Sequence, residues 1–252
     1  MAGSLADNAL WLRSFHPSPG AGAQLVCFPH AGGSASSFFS LSRSLTPEID
    51  VLSVQYPGRQ DRRREECVGD ITELAELAFG ALDADARIEY PFAFLGHSMG
   101  AIVAFEVALR FARRTGRGPI WLFVSGRRAP SRRRDEGLDF DDDASVVARL
   151  RELGGTNEQF LEDEELLATI LPVARNDYRA IENYAGAPDA TVDCPITALV
   201  GDRDPQTTID EASAWEKHSS KGFDLRVFPG SHFFLEEHQS GVTSVILASL
   251  RG

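Results

Sequence analysis

Phe92-Ala93-Phe94-Leu95-Gly96-His97-Ser98-Met99-Gly100-Ala101-Ile102-Val103-Ala104-Phe105 decides the fold. It reads as a short apolar strand, a serine between two glycines, and an apolar helix. Strand, sharp turn, helix is the setting that makes G-x-S-x-G a nucleophile elbow. The glycines let the backbone turn tightly and let both elements pass close to the serine. Ser98 Oγ then stands at the carboxyl end of a sheet, above the amino end of a helix. A chain with this glycine and serine content should hold about 0.15 such pentapeptides by accident. The bland alternative is an ordinary serine in a tight turn, and partners elsewhere in the chain decide between the two.

Composition sets the frame. At 252 residues, 43% apolar and 25% charged, the chain reads as one globular domain over residues 1–252. No apolar stretch approaches the ~20 residues of a membrane span. Met1-Ala2-Gly3-Ser4-Leu5-Ala6-Asp7 lacks the basic start and apolar stretch of a signal peptide, so a cytoplasmic location is expected. Three separated cysteines, Cys27, Cys67 and Cys194, form no C-x-x-C pair, which argues against a disulfide framework. The six histidines show no ligand spacing, so no metal is expected. A net charge of −12 disfavours nucleic acid as a partner. The basic charge is nearly all arginine, concentrated in Arg59, Arg62, Arg63, Arg64 and in Arg127, Arg128, Arg132, Arg133, Arg134. Those clusters are either solvated loops or anchors for an acidic or phosphorylated partner.

The rest of the chain alternates strands with helices. Gln24–Pro29, Asp50–Tyr56, Ile120–Gly126, Pro195–Gly201 and Asp224–Phe228 read as strands. Ser36–Leu45, Ile71–Leu82 and Gly241–Leu250 read as helices. Strands that are mostly continuous in apolar residues imply a largely parallel sheet covered on both faces. About 65 residues separate Gly126 from Pro195, far more than one crossover helix needs. Asp141-Asp142-Asp143 opens a helix there, with acids at its positive end, and Gly154-Gly155 closes it. Glu164–Tyr184 is a second amphipathic stretch, in which Pro172 is expected to make a kink or a break. This insert, approximately 130–190, reads as a helical lid over the carboxyl edge of the sheet; extra packing on the core's flank is the alternative.

A serine hydroxyl needs a base within reach, and the base needs an orienting acid. On α/β-hydrolase folds these follow in the order Ser, Asp or Glu, His. Gly201-Asp202-Arg203-Asp204-Pro205 and Pro229-Gly230-Ser231-His232 follow two strand ends in that order. His232 is the base. Of the other histidines downstream of the acid, His218 reads as surface and His238 as part of a helix. Asp204 is preferred as the acid because G-x-x-D carries its carboxylate past the strand end; Asp202 stands as the alternative, otherwise stabilising the turn. The oxyanion hole needs two backbone N–H groups. The readings are Met99, which follows the nucleophile, and Ala31 in the early loop His30-Ala31-Gly32-Gly33.

At this point the chain resembles the type II thioesterases, stand-alone editing enzymes of polyketide and nonribosomal peptide synthesis. The resemblance rests on Cys27-Phe28-Pro29-His30-Ala31-Gly32-Gly33-Ser34-Ala35, Gln55-Tyr56-Pro57-Gly58-Arg59, Gly96–Gly100, Gly201–Pro205 and Gly230-Ser231-His232-Phe233-Phe234-Leu235. It covers the chain from Trp11 to the C-terminal helix. It implies an α/β-hydrolase fold whose mostly parallel sheet is flanked by helices and capped by the inserted lid. It also implies hydrolysis of acyl thioesters on the phosphopantetheine arm of acyl or peptidyl carrier proteins. Matched motif to motif, Ser98 is the nucleophile, Asp204 the acid, His232 the base, and Met99 and Ala31 the oxyanion donors. No cofactor is implied, and a monomer is the default.

Four rivals remain, one of them the embedded thioesterase type that releases or cyclises a finished product, against which the short chain with no fused carrier domain argues. A general carboxylesterase or lipase would share the triad but act on small oxygen esters. A silent scaffold fits poorly with a complete Ser, Asp and His set. Epoxide hydrolase or dehalogenase chemistry would need an aspartate at the elbow.

Overall fold

The computed structural model describes residues 10–88, 91–134, 137, 140, 142–155 and 158–251, without the side chains of 158 and 160. Asp141 of the acidic run, and Met1 to Asp7, lie outside these residues.

Seven strands form one sheet. They are β1 (Leu12–Arg13), β2 (Ala23–Phe28), β3 (Ile49–Val54), β4 (Phe92–His97), β5 (Leu122–Ser125), β6 (Ile196–Gly201) and β7 (Phe223–Phe228). Their order is β1-β3-β2-β4-β5-β6-β7. Every pairing is parallel except that of β1 with β3, where Leu12 faces Val54. The chain reverses its progress across the sheet between β2 and β4, the kind of crevice where open α/β sheets carry their sites. β4 is buried along its whole length, as its unbroken apolar sequence requires.

Nine α-helices belong to the described residues: α1 (Phe39–Leu45), α2 (Ile71–Ala84), α3 (Met99–Thr115), α4 (Asp143–Leu153), α5 (Glu158–Glu162), α6 (Glu164–Asn183), α7 (Ile209–Ser213), α8 (Phe234–Glu237) and α9 (Gln239–Leu250). The helix expected over Ser36–Leu45 starts as a 3-10 turn, Ala35–Phe38, before α1. α2 and α3 cover one face of the sheet. Phe38, Leu41 and Leu45 pack with Val242 and Ile246 of α9 on the other.

Between β5 and β6 the chain makes α4, α5 and α6. Asp142 caps α4, its side chain accepting from the Ala144 and Ser145 N–H groups. Gly154, in the left-handed region at φ 82°, ends it. Pro172 does not break α6: the helix continues through it. The lost backbone bond costs about 3 kcal/mol. Burial of Leu171, Ala174, Tyr178, Ala180 and Ile181 against the main core offsets it. No described helix is long and apolar enough to cross a membrane.

Two sequence readings need correction. His218 is not a surface residue but fully buried. Its ring packs on Phe105 and Trp215, which sits three residues before it and faces the same way. Its Nδ1 lies 2.8 Å from the Ala190 carbonyl and its Nε2 2.9 Å from Ser131 Oγ. A carbonyl only accepts, so Nδ1 carries the proton and Nε2 accepts from the serine. The first arginine cluster is also not a uniform surface. Arg59 and Arg62 are buried and Arg63 and Arg64 exposed. The Arg62 guanidinium lies 4.5 Å from the Trp11 ring centroid and bonds Glu65 and the Gln55 carbonyl.

Candidate active site

The elbow is built by close approach. Ser98 has φ 54° and ψ −120°, a region that a non-glycine residue occupies only under strain. A Cβ on Gly96 would lie 2.2 Å from the Gly100 carbonyl oxygen, and one on Gly100 2.0 Å from that of Phe28. Both glycines of the pentapeptide are therefore steric requirements. Gly100 presses the start of α3 onto the end of β2, beside the loop that carries Ala31. The Ser98 N–H donates to the Ser125 carbonyl at 2.7 Å, which pins the elbow to β5.

His232 and Asp204 come together as expected. His232 Nδ1 is 2.9 Å from Asp204 Oδ2, and both side chains are buried. The other carboxylate oxygen, Oδ1, accepts the Gln206 N–H at 2.8 Å. Asp202 turns elsewhere: its Oδ1 accepts the Gly230 N–H at 2.9 Å, fastening the loop that bears His232 to the end of β6. Asp202 thus stabilises the turn, and the carboxylate on the imidazole is that of Asp204.

Ser98 Oγ donates to Gln206 Oε1 at 3.2 Å. His232 Nε2 is buried without a hydrogen-bond partner among the described residues. Ser98 is 5% exposed and His232 1%, so the nucleophile position is covered. The Gly154-Gly155 turn of the insert lies against Phe233, the residue after His232. A Cβ on Gly155 would stand 2.2 Å from the Phe233 ring.

Met99 opens α3, so its N–H has no acceptor within the helix. In the early loop the Gly33 N–H donates to the His30 carbonyl at 2.9 Å, and the Gly32 N–H to Asp177 Oδ2 at 2.8 Å. The Ala31 N–H donates to no acceptor among the described residues. Two N–H groups are thus available at the positions expected of Met99 and Ala31.

Two further histidines flank His232. His97 packs 5.0 Å from His232, the residue paired with Asp204, between ring centroids, and His30 5.9 Å from His97. Burial, reinforced by the neighbouring His232 imidazole and the Arg59 guanidinium, pushes the His30 imidazole down to about 3. Burial likewise pushes His97 well below its ordinary value. Both rings stay neutral beside the base.

Sequence reasoning missed three contributors. Gln206 follows the Asp-Pro turn, a position with no periodic signal. Arg59 reads as part of a charge cluster and as the end of the Gln55–Arg59 motif, neither of which points to a buried partner. Asp177 carried a signal: it lies on the apolar stripe of the 164–184 segment, between Ala174, Tyr178 and Ile181. An acid there is buried and needs a partner. That partner is Arg59.

A mostly parallel sheet with a strained serine elbow after its central strand, and a histidine and aspartate at adjoining strand ends, defines an enzyme of the α/β-hydrolase fold. The chain belongs to the thioesterase family, whose domain matches residues 23–250, and is a thioester hydrolase. It is 49% identical to the thioesterase PikA5 of Streptomyces venezuelae, over 92% of this chain and 82% of that one. It is 35% identical to the gramicidin S biosynthesis protein GrsT of Aneurinibacillus migulanus, over 96% and 94%. The solved structure of BorB, the type II thioesterase of the borrelidin biosynthetic cluster, superposes with a TM-score of 0.87. It shares 47% identity and covers 96% of this chain and 98% of its own.

Proposed function

We propose that this thioesterase removes acyl groups from the phosphopantetheine arm of acyl or peptidyl carrier proteins and so clears stalled or misprimed synthases. The observation that carries the reading is the His232–Asp204 pair, 2.9 Å apart, at the elbow of a chain similar to PikA5, GrsT and BorB.

Ser98, His232 and Asp204 are assigned as nucleophile, base and acid. Asp204 accepts the Nδ1 proton of His232, which leaves Nε2 with its lone pair. Ser98 Oγ turns from Gln206 to Nε2, loses its proton there, and attacks the thioester carbonyl. The N–H groups of Met99 and Ala31 hold the oxyanion. The imidazolium returns the proton to the departing thiolate, leaving acyl-Ser98. Water enters and gives a proton to His232 as its oxygen attacks the ester carbonyl; the tetrahedral intermediate then collapses, the free acid leaves, and the imidazolium returns the proton to Ser98 Oγ. The sequence requires no cofactor.

The α4–α6 insert acts as the lid of this site. Its turn on Phe233 and the near-complete burial of Ser98 support that role, since a substrate reaches Oγ only when the cover moves. Exposed Arg132 and Arg133 are assigned to docking the acidic carrier protein. The site of action is the cytoplasm, and the working form is a monomer.

Intact-protein mass spectrometry of acyl-loaded carrier protein tests the reading, with Ser98→Ala as control. Loss of the acyl mass with the wild type, and about a million-fold slower loss with the variant, supports it. Survival of the acyl-carrier protein, alongside cleavage of simple oxygen esters, would move the function to a small-molecule esterase.

A further inference from the structure

A buried ion pair stands outside the mechanism above. Arg59, from the Gln55-Tyr56-Pro57-Gly58-Arg59 stretch, and Asp177, on α6, pair with side chains only 4% and 1% exposed. Neither partner touches Ser98, Asp204 or His232 through any hydrogen bond described above. Both touch the loop that carries the Ala31 N–H.

The contacts are specific. One oxygen of Asp177, Oδ2, takes the Arg59 Nη2 and the Gly32 N–H. The other, Oδ1, takes Asn176 Nδ2 at 3.3 Å. Arg59 Nε donates to the Gly33 carbonyl at 3.2 Å, and Nη1 to the Pro57 carbonyl at 2.6 Å. Gln55 completes the frame: its Oε1 accepts the Ala35 N–H at 2.8 Å and its Nε2 donates to the Arg59 carbonyl at 3.1 Å. The loop is therefore gripped at Gly32, Gly33 and Ala35. Inside that grip, the Gly33 N–H holds the His30 carbonyl at 2.9 Å. The His30 carbonyl and the Ala31 N–H lie on opposite sides of one trans peptide. Fixing the carbonyl aims the N–H.

We propose that Asp177 and Arg59 are positioning residues for the Ala31 N–H. The insert helix, through Asp177, sets the peptide planes that point one oxyanion donor at the reacting carbonyl. Ala174 packs on the same spot, 3.6 Å from where a Gly32 Cβ would stand, so docking of α6 and assembly of the donor are one event. With α6 lifted, Arg59 is left without its carboxylate and the Gly32 N–H without its acceptor. The loop is then free to rotate the 30–31 peptide that carries the Ala31 N–H, and the oxyanion donor is lost until the helix returns. This rests on the functional reading above for its catalytic consequence, and on the hydrogen bonds alone for its structural one.

Three variants test it: Asp177→Ala, Asp177→Asn and the double variant Asp177→Leu with Arg59→Met. Asparagine keeps an oxygen for Gly32. The double variant removes both charges together, which buried pairs tolerate far better than losing one. Activity is measured on a short-chain acyl-pantetheine thioester, melting temperature alongside. The Ala31 and Met99 amide resonances are read by 15N NMR in the ligand-free protein. Asp177→Ala and the double variant should lower kcat by ~100-fold, the loss of about one oxyanion donor, with KM within about threefold. Asp177→Asn should recover all but about tenfold of the rate, since a neutral acceptor replaces a charged one. The Ala31 resonance should move in the first two while Met99 stays put. A folded variant with unchanged kcat and an unmoved Ala31 resonance overturns the proposal. So does a rise in KM alone, which would make α6 merely a cover. A wild type inactive on every thioester would sink the functional reading only; the Ala31 resonance then decides this one.

Discussion

Ser98 Oγ is hydrogen-bonded to Gln206 Oε1 at 3.2 Å, while His232 Nε2, the nitrogen proposed to receive its proton, is buried with no hydrogen-bond partner among the described residues. The resting hydroxyl is held away from its base by an amide. Gln206 is itself fixed by its backbone. Its N–H serves Asp204 at 2.8 Å, and its carbonyl takes Arg134 Nη2 at 2.8 Å and Arg128 Nη1 at 3.2 Å. Reaction must break the Ser98–Gln206 bond before it can make the Ser98–His232 one.

Gln206→Ala should therefore speed acylation, because the three backbone contacts survive the substitution. A neutral hydrogen bond contributes about 1 kcal/mol, which corresponds to roughly fivefold. Stopped-flow measurement of the acylation burst with a chromogenic ester reads that step directly. A slower burst would instead mean that Gln206 orients the hydroxyl for attack.

The two aspartates of Gly201-Asp202-Arg203-Asp204 separate by role. Asp204→Asn should keep the fold and drop kcat by about 10⁴, because an amide cannot hold His232 in the required tautomer. Asp202→Asn still offers an oxygen to the Gly230 N–H, so its kcat should stay within a few-fold and its melting temperature within a few degrees. Steady-state kinetics on both variants decides. Comparable losses from the two would put the acid assignment in doubt.

This pair marks the boundary of what the sequence discloses. Strand ends, elbow and partner order were legible because each rests on local pattern: apolar runs, glycines beside Ser98, and turn residues before Asp204 and His232. Where long-range contacts override local pattern, reading along the chain failed. β1 is two residues long and exists only through its ladder with β3. Pro172 breaks isolated helices, yet the buried face of α6 carries the helix through. Arg59 and Arg62 share a run of like charge with Arg63 and Arg64, and only the folded loop shows that two point inward. Asp177 and Gln206 touch residues more than 100 positions away in the chain.

Stability should fall with acid earlier than carboxylate titration explains. His30, at about 3 in the fold, and His97, well below its ordinary value, are neutral in the native state. In the unfolded chain each titrates near 6.5. Below that value the unfolded state binds more protons than the native one, so stability is complete above about pH 6.5 and declines as pH drops. The limiting slope is about 1.4 kcal/mol per pH unit for each such histidine. Thermal melts from pH 7.5 down to 5.5 should show the decline, and His30→Gln should make it shallower. A melting temperature flat across that window contradicts the burial argument.

Charge reversal at the surface should separate docking from chemistry. Arg132 and Arg133 are exposed, whereas Arg134 bonds the Gln206 carbonyl and Glu211, and Arg128 is buried on the same carbonyl. Only the first two can be reversed without disturbing the loop that holds Ser98 and Asp204. Arg132→Glu with Arg133→Glu should raise KM for an acyl-carrier protein by roughly tenfold or more, since rim charges act through encounter with an oppositely charged partner. The wild-type advantage should shrink as salt rises, because exposed charges are screened beyond about 8–10 Å near physiological ionic strength. KM for an acyl-pantetheine should not move, as it brings no protein surface. Arg63→Glu with Arg64→Glu is the comparator at the other exposed pair. A KM rise confined to that comparator would relocate the docking face to the loop after β3. Equal effects on carrier-bound and small thioesters would mean the charges act on the site itself.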